Sequence, residues 1–441
     1  MEKMLSKMQN ILSREGLFTR WLKVEKALAS AQAKLGIIPE QMAGEIADHA
    51  GIEHLQMEKY DEIYEKTGHP MVSVLRLLEE AIDGPAGQFI HLGATTQDII
   101  DTAMVLAVKE TLDLGENTLV NMINATCKMA RKYADTPMMG RTHNMQALPI
   151  TFGYKAAVWA SELYRCLERL RESRKRVLAL QMSGAVGSMV SFGKFGEKIQ
   201  ELMAEELGLQ IPDICWHASR DRYGEFAAQM GLMGTCLGRI AGEIYSLMGT
   251  EYGELSEVWG KDRVGSSTMP HKVNPTNTQH ILAKASHLRY ASAEIMEFMM
   301  VDHERNMQHF IGERTKMEQI CLYTAEIMDR SCELLDTLVV NEENMFHNLN
   351  RLGGLTQSEH VMLVLGEKIG KQNAHKIVGN IAVTAIYQHQ NFAKELCKVR
   401  EVAEVLSKEE IYDLLDPVKY IGDCPKFAVR TADELLRKLE N

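Results

Sequence analysis

The stretch FAAQMGLMGTCLGRIAGEIYSL, from Phe226 to Leu247, decides the fold. In it Phe226, Met230, Met233, Leu237, Ile240, Ile244 and Leu247 stand 4, 3, 4, 3, 4 and 3 residues apart. That spacing is a heptad seam on one face of a long helix. Two heptad-spaced rows of small residues flank it: Gly224, Gly231 and Gly238, and Ala228, Thr235, Gly242 and Gly249. Each interior glycine costs a helix roughly 1 kcal/mol relative to alanine, so this many need a compensation. Close approach of a second helix backbone supplies one. Membrane helices use small residues in the same way, but Arg239, Glu243 and Glu251 are spread along this one. The pattern predicts a water-soluble bundle helix.

The chain has only 10 prolines in 441 residues, leaving uninterrupted windows at 86–136, 150–211, 213–269 and 276–416. Proline breaks helix interiors, so these windows permit long helices. One is expected at about 153–181, with Trp159, Leu163, Leu167, Leu170 and Val177 on one face. Others are expected at about 98–133, 276–300 and 313–340. No alternating strand pattern of useful length and no Asn-Gly or Asp-Gly hairpin signal is visible. The reading is all-α. It places an N-terminal helical domain at 1–100, a long central helical bundle at 101–350 and a C-terminal helical domain at 351–441. Bundle helices packed on small residues also associate between subunits, so a homo-oligomer is expected.

Composition narrows the function classes. Apolar residues make up 45%, which excludes global disorder. Lys plus Arg total 49 against 60 for Asp plus Glu, a net charge of −11. That balance argues against binding nucleic-acid backbone or an anionic membrane. A small anionic substrate needs only a local cation cluster. The eight cysteines form no CxxC and suggest neither zinc site nor disulfide framework. The N-terminal MEKMLSKMQNILSREG has no continuous apolar core for export, and no window holds 18 consecutive apolar residues. A soluble, reduced, cytoplasmic protein is the expectation. HExxH, EF-hand and clustered Cys/His patterns are missing, so neither a metal nor another cofactor is expected. GxSxG is also missing, against an α/β-hydrolase serine.

Four segments are poor helix sequence and rich in polar groups, and binding residues concentrate on such loops. In His91-Leu92-Gly93-Ala94-Thr95-Thr96-Gln97-Asp98, either threonine suits an ordinary helix N-cap. The alternative is an anion site at a helix N-terminus. Gly140-Arg141-Thr142-His143-Asn144-Met145-Gln146 sets His143 between a cation and hydrogen-bonding side chains, bracketed by Pro137 and Pro149. It suits a structural or a catalytic histidine equally. Ser183-Gly184-Ala185-Val186-Gly187-Ser188 and the following Gly193-Lys194 look superficially like a phosphate loop. Five residues rather than four separate Gly187 from Gly193, and Phe195 replaces the required hydroxyl, so a structural glycine turn is the better reading. Gly265-Ser266-Ser267-Thr268-Met269-Pro270-His271-Lys272-Val273-Asn274-Pro275 concentrates hydroxyls, an ammonium, an imidazole and an amide. Its donors suit a carboxylate or phosphate better than plain solvent.

GSSTMPHKVNP (265–275) closely resembles the signature loop of the fumarase/aspartase superfamily, which includes adenylosuccinate lyase, argininosuccinate lyase and carboxymuconate cycloisomerase. HLGATTQDIIDTA (91–103) and GRTHNMQALPITFG (140–153) resemble two further shared segments. RDRYGEF (220–226) and HERNMQHFIGER (303–314) add support, as do VEKALASAQAKLGIIP near the start and LLDPVKYIGDCPKF near the end. The resemblance covers essentially the whole chain. It implies an all-α three-domain subunit and a homotetramer whose active sites are assembled from different subunits.

It also implies the chemistry. Such enzymes remove a weakly acidic proton α to a carboxylate and β to the leaving group, usually releasing fumarate. The difficulty is the carbanion, whose charge spreads onto the carboxylate and is stabilised by preorganised donors. By the resemblance, Ser266 is the proton-abstracting base and His143 the acid serving the leaving group. Lys272 and Asn274 hold the carboxylate, Thr95 and Thr96 another part of a small dicarboxylate-type substrate. His69, His91, Thr142 and Arg305 complete the binding set. Arg141, Lys272 and Arg305 are expected to make the pocket locally cationic. PHKVNP and the His-Glu-Arg step look like the adenylosuccinate branch, which carries out a C–N elimination in purine biosynthesis. Several positions depart from that branch. The early Arg-Tyr pair is missing, His-Asp becomes His69-Pro70, the glutamate supporting the acid histidine is Gln279, and the glutamine before Arg-Asp-Arg is Ser219. TGHP, GATTQDIIDTA and LDPxxYxG look like the carboxymuconate branch. The expected activity is an adenylosuccinate lyase-like carbon–nitrogen lyase that releases fumarate from an N-succinyl-type substrate; a lactone-forming cycloisomerase is the alternative, and a catalytically silent, crystallin-like homologue a second one.

Overall fold

The computed structural model describes residues 3–258, 268–269 and 271–440. Its principal elements are the helices Arg14–Lys34, Pro70–Ala81, Thr96–Lys132, Phe152–Val177, Asp221–Leu247, Thr276–Phe298 and Met307–Thr337, followed by shorter C-terminal helices. Five of them run for 23 to 37 residues. The heptad seam behaves as its spacing requires: Phe226, Met230, Met233, Leu237, Ile240, Ile244 and Leu247 are all buried. So are Trp159, Leu163, Leu167, Leu170 and Val177. The fold is all-α.

The chain forms two compact units: Met1–Thr118 with Cys166–Gly238 and His280–Arg330, and Leu119–Arg165 with Arg239–Gln279 and Ser331–Asn441. In the first unit, the row of glycines on the 221–247 helix meets the residues of the 276–298 helix and its end. A Cβ on Gly231 would lie 2.8 Å from Ser292 Oγ, and one on Gly238 only 3.0 Å from Ala285 Cβ. Glycine is what lets these two backbones come together. The second small-residue row is cut short, because the helix ends at Leu247 and Gly249 lies beyond it.

The second unit contains an antiparallel hairpin, β1 (Pro137–Thr142) and β2 (Met145–Thr151), with Thr142 paired to Met145. Sequence periodicity gives no sign of it. Its two-residue turn is His143-Asn144, with φ of 51° and 64°. Both turn residues have the positive φ of a type I′ turn, a shape usually advertised by glycine. The C-terminal part of this unit has its own core, centred on Val361, Leu365, Val378, Phe392, Leu396, Val402 and Ile411.

Candidate active site

The described site residues fall into two groups, one in each unit. The first unit holds His69, His91, Thr95, Thr96 and Arg305. The segment before the 96–132 helix turns twice through left-handed backbone, at His91 (φ 59°) and Gly93 (φ 82°). Glycine is needed at 93, since the Phe192 ring lies where a Cβ would point. His91 is fastened from both ends by Glu25: its backbone N–H donates to Oε2 (3.1 Å) and its Nδ1 to Oε1 (2.6 Å). Burial opposes a charge on His91, but the hydrogen bond and charge of Glu25 outweigh it and hold the imidazole above its usual pKa. With Nδ1 committed, Nε2 is the ring atom left for a substrate.

Thr95 stands immediately before the helix, at the N-cap position. Among the described residues, its hydroxyl accepts from Arg305 Nη1 (3.1 Å) instead of closing the cap. The cap is made in reverse, by Asp98 Oδ2 accepting the Thr95 N–H (3.0 Å). Arg305 also donates through Nη2 to the Ala185 carbonyl (3.0 Å), which ties the glycine turn to the same spot. Asp98 is the buried hub of this arrangement. It accepts the Ser183 N–H (3.0 Å) and Gly184 N–H (2.9 Å), and His217 Nε2 (2.8 Å) on Oδ1. The glycine turn is thus structural, as its failed phosphate-loop spacing indicates. Half-buried Thr96 opens the helix beside Thr95.

His69 caps the helix Pro70–Ala81, its Nδ1 accepting the Val72 N–H at 3.4 Å, with Pro70 in the first helical position. Burial, then the nearby charges of Arg314 and His91, push its pKa below the usual value. Its shift is opposite in direction to that of His91. In the same unit Arg220 is locked in a buried ion-pair cluster with Asp101 (2.7 and 2.9 Å) and Glu313 (2.9 Å). Arg220 is therefore scaffold.

The second unit holds Thr142, His143, Lys272 and Asn274. Thr142 and His143 are exposed at the hairpin tip. The tip is anchored by Arg141, which donates to both carboxylate oxygens of the fully buried Glu254 (2.5 and 3.0 Å) and lies over the Tyr252 ring. Asn348 donates to the same carboxylate (2.9 Å), and Gln146 donates to the Asn348 carbonyl (3.0 Å). Arg141, expected to lend charge to a pocket, is neutralised by Glu254 and positions the hairpin instead. Lys272 is exposed and Asn274 half-buried, just before the helix Thr276–Phe298. Glu257 caps that helix, accepting the N–H groups of Asn277 (3.1 Å) and Thr278 (2.9 Å). Ser266, the expected base, lies outside the described residues.

Sequence reasoning missed Glu25, Asp98, His217, Glu254 and Glu257. For Glu25 a signal existed: it shares a helix face with Trp21, Leu22, Leu28 and Ala29, all buried. Among the described residues no group of His, Cys, Asp and Glu is arranged to hold a metal ion, and no helix is long and apolar enough to cross a membrane.

Residues 1–289 match the family model described as lyase, and residues 354–431 that of the adenylosuccinate lyase C-terminus. N-acetyl-S-(2-succino)cysteine lyase of Enterococcus italicus is 38% identical, over 95% of this chain and 92% of that one. Adenylosuccinate lyase of Methanocaldococcus jannaschii is 35% identical, over 98% and 94%. Among solved structures, the 3-carboxy-cis,cis-muconate lactonizing enzyme of Pseudomonas putida superposes with a TM-score of 0.93 at 32% identity, covering 98% of this chain and 97% of that one.

Proposed function

Since the chain belongs to the fumarase/aspartase superfamily of lyases, we propose that it eliminates fumarate from a 2-succinyl compound whose leaving atom is a thioether sulfur. Ser266 takes the proton and His143 serves the leaving group. The observation that carries this reading is the anion cradle of the first unit: Thr95 at the N-terminus of a 37-residue helix, bonded to Arg305. His91, biased toward its charged form by Glu25, flanks it in sequence. A helix N-terminus, a guanidinium and an imidazole whose pKa is raised together suit one carboxylate of a succinyl group. Lys272 and Asn274 meet the other, on which charge accumulates as the proton leaves.

The choice of sulfur rests on the acid. Gln279 replaces the glutamate that would support His143, so the acid works unaided. A thiolate leaves with a conjugate-acid pKa of about 8.5, and needs less protonation than a departing amine nitrogen. The likeness to an S-succinocysteine lyase supports the same choice. The second reading is C–N elimination from an adenylosuccinate-like substrate, favoured by the match of residues 354–431. The subunits assemble as a homotetramer with sites shared between them.

Fumarate release, followed by ultraviolet absorbance, separates the readings. N-acetyl-S-(2-succino)cysteine is expected to give a kcat/KM at least ~10-fold above adenylosuccinate. The reverse order selects the C–N reading. Lactone from carboxymuconate without fumarate selects the cycloisomerase, and no product from any of them leaves a silent homologue.

A further inference from the structure

A second constellation lies in the first unit, centred on a thiol that the proposed reaction does not use and sharing Asp98 with the anion cradle. The segment Cys215-Trp216-His217 follows the 196–207 helix and runs beside the glycine turn. His217 is 3% exposed; its Nε2 donates to Asp98 Oδ1 at 2.8 Å. Among the described residues its buried Nδ1 has no hydrogen-bond partner of ordinary geometry, and the Cys215 thiol is its neighbour. The sulfur also receives the Gln181 amide at 3.3 Å. On its other side it abuts Gly187 (φ 83°), where a Cβ would lie 2.6 Å from Sγ. Cys215 is half-buried, unlike the fully enclosed Cys127 and Cys321. Arg305 borders the same turn through its bond to Ala185.

We propose that Cys215 is a modification site, a thiol seated on the His217–Asp98 pair that adds to α,β-unsaturated dicarboxylic acids and their esters. Carboxylate, imidazole and thiol stand in the order that converts a thiol to a nucleophile. Burial pushes the Cys215 thiol up, but hydrogen bonds from His217 and Gln181 outweigh it and leave the thiol below its ordinary pKa. In the reaction the thiol proton already rests on His217, as in a thiolate–imidazolium pair, and the thiolate electron pair forms an S–C bond to one alkene carbon. The π pair moves to the neighbouring carbon, α to a carboxyl group, which then collects the proton from His217. One S–H and one C=C are consumed, one S–C and one C–H form, and no oxidant is needed. Arg305 draws an anionic electrophile to this edge of the turn. Fumarate belongs to the class, so a fumarate-releasing enzyme would meet this electrophile as its own product. The addition itself needs no turnover, and its failure leaves the elimination reading untouched.

The test uses the full chain with limiting monomethyl fumarate and, separately, N-ethylmaleimide. Adducts at each cysteine are followed by peptide mass spectrometry. Cys215 is expected to react at least ~10-fold faster than the other half-buried cysteines, Cys236, Cys332, Cys397 and Cys424. Cys215→Ser should remove the fast adduct while leaving basal turnover unchanged. His217→Asn should slow the reaction at 215 by about the same factor, with Cys127 and Cys321 remaining unlabelled as evidence of a folded chain. A Cys215 rate no higher than those of the other four overturns the proposal, whether or not the His217 variant folds. So does an unchanged Cys215 rate in a folded His217→Asn protein.

Discussion

His143 is held at a φ of 51° on an exposed hairpin tip, a conformation that glycine adopts without penalty. A non-glycine residue there stores strain of about 1 kcal/mol. His143→Gly is therefore expected to raise stability in urea by about that amount while abolishing turnover. A glycine variant that keeps full activity would remove His143 from the mechanism. His217 carries a second prediction. Burial disfavours its charge, but hydrogen bonds and charge from Asp98 and Cys215 raise its pKa to about 9. A folded-state pKa above the unfolded value of about 6.5 means that the charged ring stabilises the fold fully below that pH. This stability, on the order of 3 kcal/mol, is lost as pH rises through about 9. In the Cys215→Ser protein, which loses the thiol's own titration and its share of the upward shift, urea midpoints should still fall, over a lower pH range and by less, and stay flatter when His217→Asn is added. At this scale the sequence was only partly legible. Thr95, Thr96 and His143 stood out because they interrupt helical patterns. Glu25, Asp98 and Glu254 did not, because a carboxylate within or beside a helix reads as a solvated charge until its burial is seen.

Among the elements, the 221–247 helix was readable because its signals are local: a heptad seam and a price in helix propensity set by its glycines. The packing against the 276–298 helix predicts opposite effects for two glycine replacements. Gly238→Val would drive a branched side chain into Ala285, 3.0 Å from the position of a Cβ, and should cost about 1–3 kcal/mol. Gly44, inside the helix Glu40–His49, has nothing within 4 Å of an added Cβ among the described residues, and Gly44→Ala should gain about 0.5–1 kcal/mol. Urea denaturation of both variants checks the pair; equal effects would contradict the close approach. The β1–β2 hairpin was not readable, for a matching reason. Its turn contains no glycine, and its anchor is the Arg141–Glu254 pair, 113 positions apart in the chain. Glu254→Gln keeps the shape but leaves Arg141 buried against a neutral partner, at a cost of about 3 kcal/mol. Turnover should fall at least ~10-fold as the His143 tip loses its position, with substrate KM changing less. An unaltered kcat in the folded variant would make the pair a stability device alone.

For the whole molecule, the helical class and the helix extents follow from periodicity and proline spacing. The grouping into two discontinuous units does not, because it depends on contacts between segments that stretches of the other unit separate in the chain. The candidate residues divide along that grouping: His69, His91, Thr95, Thr96 and Arg305 in one unit, Thr142, His143, Lys272 and Asn274 in the other. A homotetramer with shared sites would draw these groups from different subunits, and this has a consequence that no single-subunit site shares. His143→Ala and Arg305→Ala subunits, each inactive alone, should regain activity when mixed under conditions that allow exchange. If a site takes His143 from one subunit and Arg305 from another, random assembly leaves both native in roughly a quarter of sites. Sedimentation should show four subunits before and after mixing, so that recovery is not confused with a change of assembly. If both residues came from one chain, every site would retain one defect and mixing would restore nothing. Recovery near a quarter of native turnover, scaling with the product of the two subunit fractions, is the signature expected of the shared site.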